Sequence, residues 1–305
     1  GEEGGGGSGG GGGGSWITSD GWLEPGSDVC GWHGIGCEGG PGSDVTSIDL
    51  KQNGLEGTIP AEIGALASSL KELILSTNKL KGELPTQLFN LVSLEKLHLA
   101  ENQIGGEISS LIGKFTSLRK LDLYDNALQG ELPAEIGDLK ELVKLDLSLN
   151  EIKEQVPESI LSLVNIEELG LCPNEFDGNV LDYSPLQKLI YLDLDDCSFD
   201  GPIPKGIGML SNLERLYLSK NELSDSIPSE LGDATSLVEL YIDFNRLTGR
   251  IPDSMANLIN LESFDASRNN LKGSVPAAMC KLDSLNTFTL DCNVADGCDC
   301  CSLCS

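Results

Sequence analysis

One stretch constrains what the whole chain can become. From Leu118 to Asn150, LRKLDLYDNALQGELPAEIGDLKELVKLDLSLN, the pattern LxxLxLxxN begins at Leu118 and begins again at Leu142, 24 residues later. Its asparagine position can be followed through Asn53, Asn78, Asn102, Asn126, Asn150, Asn174, Cys197, Asn221, Asn245, Asn269 and Asn293, at spacings of 23 to 25 residues. A unit this short cannot bury its apolar side alone, whereas stacked copies share one continuous core. Eleven units in one register therefore describe a chain that grows along a line.

The letters of the unit have physical reasons. Leu121 and Leu123 alternate with Lys120, Asp122 and Tyr124, the period of a strand with one buried face. At Asn126 the chain leaves that strand, and backbone groups lose their sheet partners. A buried carboxamide both donates and accepts, so it can satisfy such groups in its own unit and the next. Left unpaired, they would cost roughly 1–3 kcal/mol each. The second half, LxGxIPxxIGxL (Leu128, Gly130, Leu132, Pro133, Ile136, Gly137, Leu139), returns the chain across the other side, with Gly and Pro keeping long helices from forming. The pattern is identified as the leucine-rich-repeat signature.

A single globular core is near its usual limit at 305 residues, but a solenoid simply adds coils. With 20 Lys and Arg against 48 Asp and Glu the net charge is −28, which argues against nucleic acid and anionic membranes as partners. It permits a cationic polymer or calcium, or serves solubility alone. Eight of the ten cysteines lie near the two ends, pointing to disulfides and an extracellular setting. The sequence shows no signal peptide, apolar membrane-spanning run or initiator Met, as expected of a processed or trimmed chain, and no N-x-Ser/Thr sequon.

Residues 1–15 are nearly all glycine, a flexible tether by composition. Residues 16–44 hold all three tryptophans and CGWHGIGC, Cys30 to Cys37. The first coil exposes an apolar end, and these residues suit a cap. An eight-residue disulfide loop is worth roughly 2–3 kcal/mol. His33 inside it reads as structural, since His98 is the one other histidine. The repeats occupy 45–279, and 280–305 carries the last repeat with Cys280, Cys292, Cys298, Cys300, Cys301 and Cys304. CDCCSLC could ligate zinc, but three bridges closing the far end fit a secreted chain better. Six cysteines allow fifteen pairings.

WITSDGWLEPGSDVCGWHGIGC followed by VTSIDLKQNGLEGTIPAEIGAL resembles the cap and first repeat of plant-type extracellular leucine-rich-repeat proteins. That class includes receptor-like kinase ectodomains, receptor-like proteins and polygalacturonase-inhibiting proteins; the look is nearest to secreted diatom repeat proteins. The resemblance covers Trp16 to Cys304. It implies an α/β solenoid, a right-handed superhelix of eleven coils of about 24 residues. A strand-lined concave face, disulfide-bonded caps at both ends and recognition of macromolecules outside the cell go with that resemblance.

The register departs from the pattern at Ser109, which replaces the motif proline, and at Glu154 and Asp225, which replace the motif glycine. The sixth and seventh repeats depart most: Pro173 precedes the ladder Asn, GNVLDYSPL is one residue short, and Cys197 takes the ladder position. Cys172 and Cys197 fall on adjacent coils, so a bridge is open. Cys172 is expected to point out of the sheet and Cys197 inward, which favours an unbridged thiol packing as a small hydrophobe.

No hydrolase constellation, phosphate loop or complete calcium loop is present, so neither enzyme nor bound cofactor nor metal is expected. Binding is argued by columns. Tyr191, Asp193, Asp195, Tyr217, Tyr241 and Asp243 fall on outward strand positions of successive coils about 4.8 Å apart, and should form one concave patch. Exposed tyrosine is enriched at interfaces, though ordinary cross-strand packing gives the same arrangement. Lys96, Lys120 and Lys144 beside Asp122 and Asp146 are expected to form surface ion pairs. The first expectation is thus a recognition module for an extracellular protein or peptide. The alternatives are a wall or matrix assembly protein gathering calcium or cationic polymer, and an inhibitor of a secreted glycan hydrolase. Ice binding ranks below these, because no regular Thr array recurs.

Overall fold

The computed structural model of the chain describes residues 16–22, 24, 26–291, 294, 301 and, for the backbone alone, 303–304. Residues 1–15, Asn293 of the ladder, Cys292, Cys298, Cys300 and the side chain of Cys304 lie outside the described residues.

Each repeat supplies one short strand, from Val45–Asp49 through Lys120–Asp122 and Lys144–Asp146 to Thr287–Leu290. Neighbours pair parallel in register, Lys120 with Lys144, Leu121 with Leu145 and Asp122 with Asp146. Leucines at the inward positions, such as Leu121, Leu145 and Leu216, are at most 1 % exposed, so one spine of core runs the length of the solenoid. Ile35–Cys37 adds an antiparallel strand at the near end, and Leu303–Cys304 pairs parallel with Thr287–Leu290 at the far end.

The chain returns through 3₁₀ turns, such as Ala134–Asp138, entered from a proline with extended backbone. Where Ser109 replaces that proline, its hydroxyl accepts from the Leu111 amide at 3.2 Å and caps the turn instead. A second parallel sheet of seven strands, Glu56–Gly57 to Ser198–Asp200, runs along the flank. It was not expected; segments such as Ala127–Glu131 read as turns in the sequence because glycine interrupts them.

The asparagines among the described residues form a hydrogen-bonded ladder. Asn126 donates from Nδ2 to Leu123 and Tyr124 in its own coil and to Leu99 in the coil before, and its Oδ1 accepts from the Ile104 amide. At the near end there is no preceding coil, and Asn53 reaches the cap instead: Nδ2 donates to Thr18 O and Oδ1 accepts from its amide. The tryptophans of the cap touch in sequence, Trp16 meeting Trp22 edge-on at 4.8 Å and Trp22 meeting Trp32 at a tilt at 4.9 Å. Trp22 Nε1 donates to the His33 carbonyl, which makes His33 a part of the cap's frame.

Cys30 and Cys37 are bridged, and Cys280 and Cys301 are both disulfide-bonded. Cys172 and Cys197 are bridged too, with Cα atoms 5.8 Å apart. This corrects the expectation of an unbridged thiol. The strand ends two residues before Cys172, at Gly170, and the backbone is already turning inward there; Cys172, like Ser148 and Ser219 at the same repeat position, is buried. A ladder side chain meanwhile reaches back one coil, as Asn174 does to Leu147 O. At Cys197 that reach ends beside Leu171 and Cys172, so the two sulfurs meet.

Candidate binding face

The concave sheet presents three outward rows, and the second of them is interrupted at one place. Asp146 pairs with Gly170 and Gly170 with Asp193, so a residue without a side chain separates two carboxylates. A Cβ at position 170 would lie 2.9 Å from Ser148 Oγ and 3.1 Å from Asp146 Oδ1. Gly170 is buried, and the side chains of Asp146 and Ser148 fill the space above it. A groove nearby is lined by Lys144, Asp146, Glu168, Ile190, Tyr191, Arg215 and Tyr217.

Along these rows, the six residues expected to cluster are brought together. Tyr191 meets Tyr217 edge-on at 5.5 Å, and Tyr217 meets Tyr241 at 5.2 Å. The Tyr191 hydroxyl donates to Asp193 Oδ2 at 2.7 Å, and Asp193 Oδ1 accepts from the Asp195 amide at 3.0 Å. Asp195 accepts from the Ser219 amide, and the Ser219 hydroxyl donates to Asp243. Tyr217 donates to the Glu239 carboxylate. Register makes this possible, because Tyr191, Arg215 and Glu239 share one row and Asp193, Tyr217 and Tyr241 the next.

Burial sets the electrostatics. It pushes the carboxyl of Asp195 from the usual 3.8 up to about 7, with the charges of Asp193 and Asp243 adding to it against the Ser219 hydrogen bonds. Asp122, Asp193 and Asp243 are raised, each chiefly by burial. The Tyr191 and Tyr217 hydroxyls are also raised, by burial first and then by donating to carboxylates. His98 is lowered by burial, which outweighs the attraction of Asp122.

The lysine stripe pairs differently from expectation. Lys96 meets Glu72 at 2.6 Å and Lys144 meets Glu168 at 3.2 Å, along the row rather than across to Asp122 and Asp146. Neighbours in a row are one strand spacing apart, and the glutamate arms span that gap. Glu168, Glu239 and the role of Gly170 were not singled out from sequence. Among the described residues no group of three or more His, Cys, Asp or Glu is placed to hold a metal ion, and no helix is long and apolar enough to cross a membrane.

Comparison with known proteins agrees with this architecture. The Leucine Rich Repeat family profile matches residues 69–91, 93–115, 117–139, 188–210, 212–234, 236–258 and 260–282, with a gap at 140–187 that takes in the fifth repeat and the irregular sixth. A rice protein, Receptor protein kinase WSS1, is 39% identical over 70 residues, 23% of this chain and 7% of that protein. The structure of the Arabidopsis receptor kinase HAESA with the peptide hormone IDA and the co-receptor SERK1 superposes with a TM-score of 0.79 at 30% identity, over 88% of this chain and 45% of that one. A plant ice-binding protein superposes with a TM-score of 0.75 at 25% identity, over 94% of this chain and 92% of that one. The chain thus spans under a tenth of the curated receptor's length and under half of the HAESA chain. With the profile matched over more than half of its residues, and with one strand and one ladder position per coil, the chain belongs to the leucine-rich-repeat family.

Proposed function

We propose that this chain is a non-enzymatic extracellular recognition module that binds an extended protein or peptide segment across the concave face of coils seven to nine. The observation that carries this is the tyrosine run Tyr191–Tyr217–Tyr241. Three partly exposed rings adjoin one another, and two of them are held in place, Tyr191 by Asp193 and by the Arg215 guanidinium 5.6 Å from its ring, and Tyr217 by Glu239. Rigid aromatic area of this kind binds at low entropic cost and supplies hot spots. The disulfides fit an oxidising compartment, and HAESA, of similar fold, holds a peptide hormone.

The ice-binding neighbour's activity is not carried over. A surface matched to a regular lattice needs one side chain repeated, and the flanking sheet presents Lys81, Gly105, Gln129, Lys153 and Asp177 at one repeat position. The test is capture of partners from the extracellular medium of the source, comparing the wild type with Tyr217→Ala/Tyr241→Ala. A partner retained by the wild type should bind the variant more weakly by about 2 kcal/mol or more if both rings are hot spots. Equal retention by both proteins rejects this face as the site.

A further inference from the structure

We propose that the peptide segment crossing the tyrosine run continues over the rim of coils nine and ten, where its carboxylate side chains meet Arg250, Arg268 and Lys272. This rests on the recognition function proposed above and names its ligand chemistry. The chain has five arginines, and three of them, Arg246, Arg250 and Arg268, fall between residues 246 and 268. That grouping reverses the sign of the flank. From the third coil to the seventh, the flanking sheet exposes carboxylates at Glu107, Glu131, Glu151, Glu175, Asp177 and Asp200 against one cation, Lys153. Beyond Ser198–Asp200 that sheet gives way to the isolated bridges Pro202–Ser224 and Ser226–Thr248. The exposed side chains of coils nine and ten there are Arg246, Thr248, Arg250, Asn270 and Lys272.

Register groups these cations. The Arg246 and Asn270 amides donate to Leu223 and Leu247 of the coil before, and the Thr248 and Lys272 amides to Asp225 and Gly249. Coils eight, nine and ten therefore lie side by side on this flank. The stem of Arg250 crosses to coil ten, since a Cβ at Gly273 would stand 3.0 Å from its Cγ and Cδ, and this brings the arginine beside Lys272. At the rim, the Arg268 guanidinium lies 4.4 Å from the centre of the Phe244 ring. That ring is 45 % exposed on a left-handed backbone, φ 51°, a cost that burial does not offset. Residues 220–226, 244–250 and 268–274 hold Lys220, Arg246, Arg250, Arg268 and Lys272 against Glu222 and Asp225. Lys220 pairs with Asp196 and Arg246 with Glu222. Among the described ion pairs the other three cations have no carboxylate. Like charges set side by side repel, and they attract a carboxylate-bearing partner to this one region of an acidic chain. Phe244 follows Tyr241 by three residues on coil nine, about 10 Å along the backbone, so one occupant can cover the tyrosines, Phe244 and the cations. Aromatic contact followed at that distance by carboxylates is a pattern that a peptide's varied side chains supply and a polysaccharide of uniform repeat does not. The order also gives specificity, because Asp193, Asp195 and Asp243 repel an acidic segment from the tyrosine end.

The test uses pools of synthetic peptides, each about eight randomised residues joined at either end to a block of Glu, Gln or Lys, with both termini blocked. Each pool is passed over the immobilised full chain, over Arg250→Gln/Arg268→Gln/Lys272→Gln and over Tyr217→Ala/Tyr241→Ala. A control, Lys81→Gln/Lys114→Gln/Lys153→Gln, makes the same charge change elsewhere, and heparin is passed over each protein alone. All six substituted cations are exposed; thermal melts establish that each variant is folded, and the single glutamine variants serve if a triple variant is not. The wild type should retain the Glu pools about fivefold over the Gln pools, a preference that the rim variant abolishes, the control keeps and about 0.5 M salt removes. A Glu preference that is absent from the wild type, or that survives in the rim variant, overturns the cationic rim. A preference lost equally in the rim variant and the control assigns it to overall charge and overturns the rim too. Heparin held through the same three cations, without a Glu preference, gives the surface to an anionic polysaccharide and overturns the peptide. Retention without Glu preference, lost in the tyrosine variant, overturns the rim while leaving the recognition face standing. A Glu preference undiminished in the tyrosine variant overturns the joint use of rim and tyrosines. Background retention of every pool by all four proteins overturns both proposals.

Discussion

Among the described residues, eleven other than glycine hold a left-handed backbone, and nine of them immediately precede a ladder position: Gln52, Thr77, Glu101, Asp125, Leu149, Asp196, Lys220, Phe244 and Arg268. Their variety hides the requirement from the sequence; the turn is imposed by the ladder's hydrogen bonds, not by local preference. The other two, Glu154 (φ 65°) and Asp225 (φ 61°), stand where the repeat has glycine. Glycine pays no Cβ penalty there. Glu154→Gly should therefore stabilise the chain by about 0.5–1 kcal/mol, and Asp225→Gly by less because Asp tolerates this region, as read by urea denaturation. Asp195 gives a pH dependence whose sign is fixed. Its carboxyl rises from 3.8 to about 7 on folding, so across that window the folded chain holds a proton that the unfolded chain has released. Stability then falls as pH rises from about 4 to about 7. Asp195→Asn should remove part of that slope in unfolding midpoints measured across the window, while Asp243 and Asp193 keep the rest.

At the scale of the element, the seventh ladder position shows how one coil is tied to another. Asn221 bonds its own coil and the one before through Leu218, Ser219 and Leu194; Cys197 replaces such a set with a covalent link to Cys172. Closing the loop between them is worth roughly 3 kcal/mol in chain entropy. Cys172→Ser/Cys197→Ser should lose most of that. Cys172→Ser/Cys197→Asn should lose less, because the carboxamide can rejoin the ladder. Equal midpoints for the two double variants in chemical denaturation would show that this coil cannot accept the asparagine. The irregular sixth coil, which holds Cys172, buries Tyr183 where its neighbours have Ile160 and Ile207, and the Tyr183 hydroxyl has no hydrogen-bond partner among the described groups. Tyr183→Phe should be neutral or stabilising by up to about 1 kcal/mol.

At the scale of the molecule, stability is a sum of coils and the contacts between neighbours. Removing residues 118–141 joins Ser117 to Leu142 and takes out one whole period. That variant should keep a cooperative melt near the parent's temperature. A deletion of half that length should not, because the leucine spine and asparagine ladder would fall out of register. Calorimetry of the two variants distinguishes them directly.

The sequence by itself determined the coil, the strand in each coil, the ladder and the six residues of the concave cluster, because each follows from a period counted along the chain. Period alone could not reveal the seven-stranded flanking sheet, since glycines at Gly82, Gly106 and Gly130 serve both as turn signals and as left-handed strand positions. Nor could it reveal the Cys172–Cys197 bridge or the pairing of Lys144 with Glu168, which depend on how far a side chain reaches between coils. Only the tertiary structure decided that Asp146 and Ser148 close over Gly170, because contact across stacked coils is a property of the superhelix and not of the repeat.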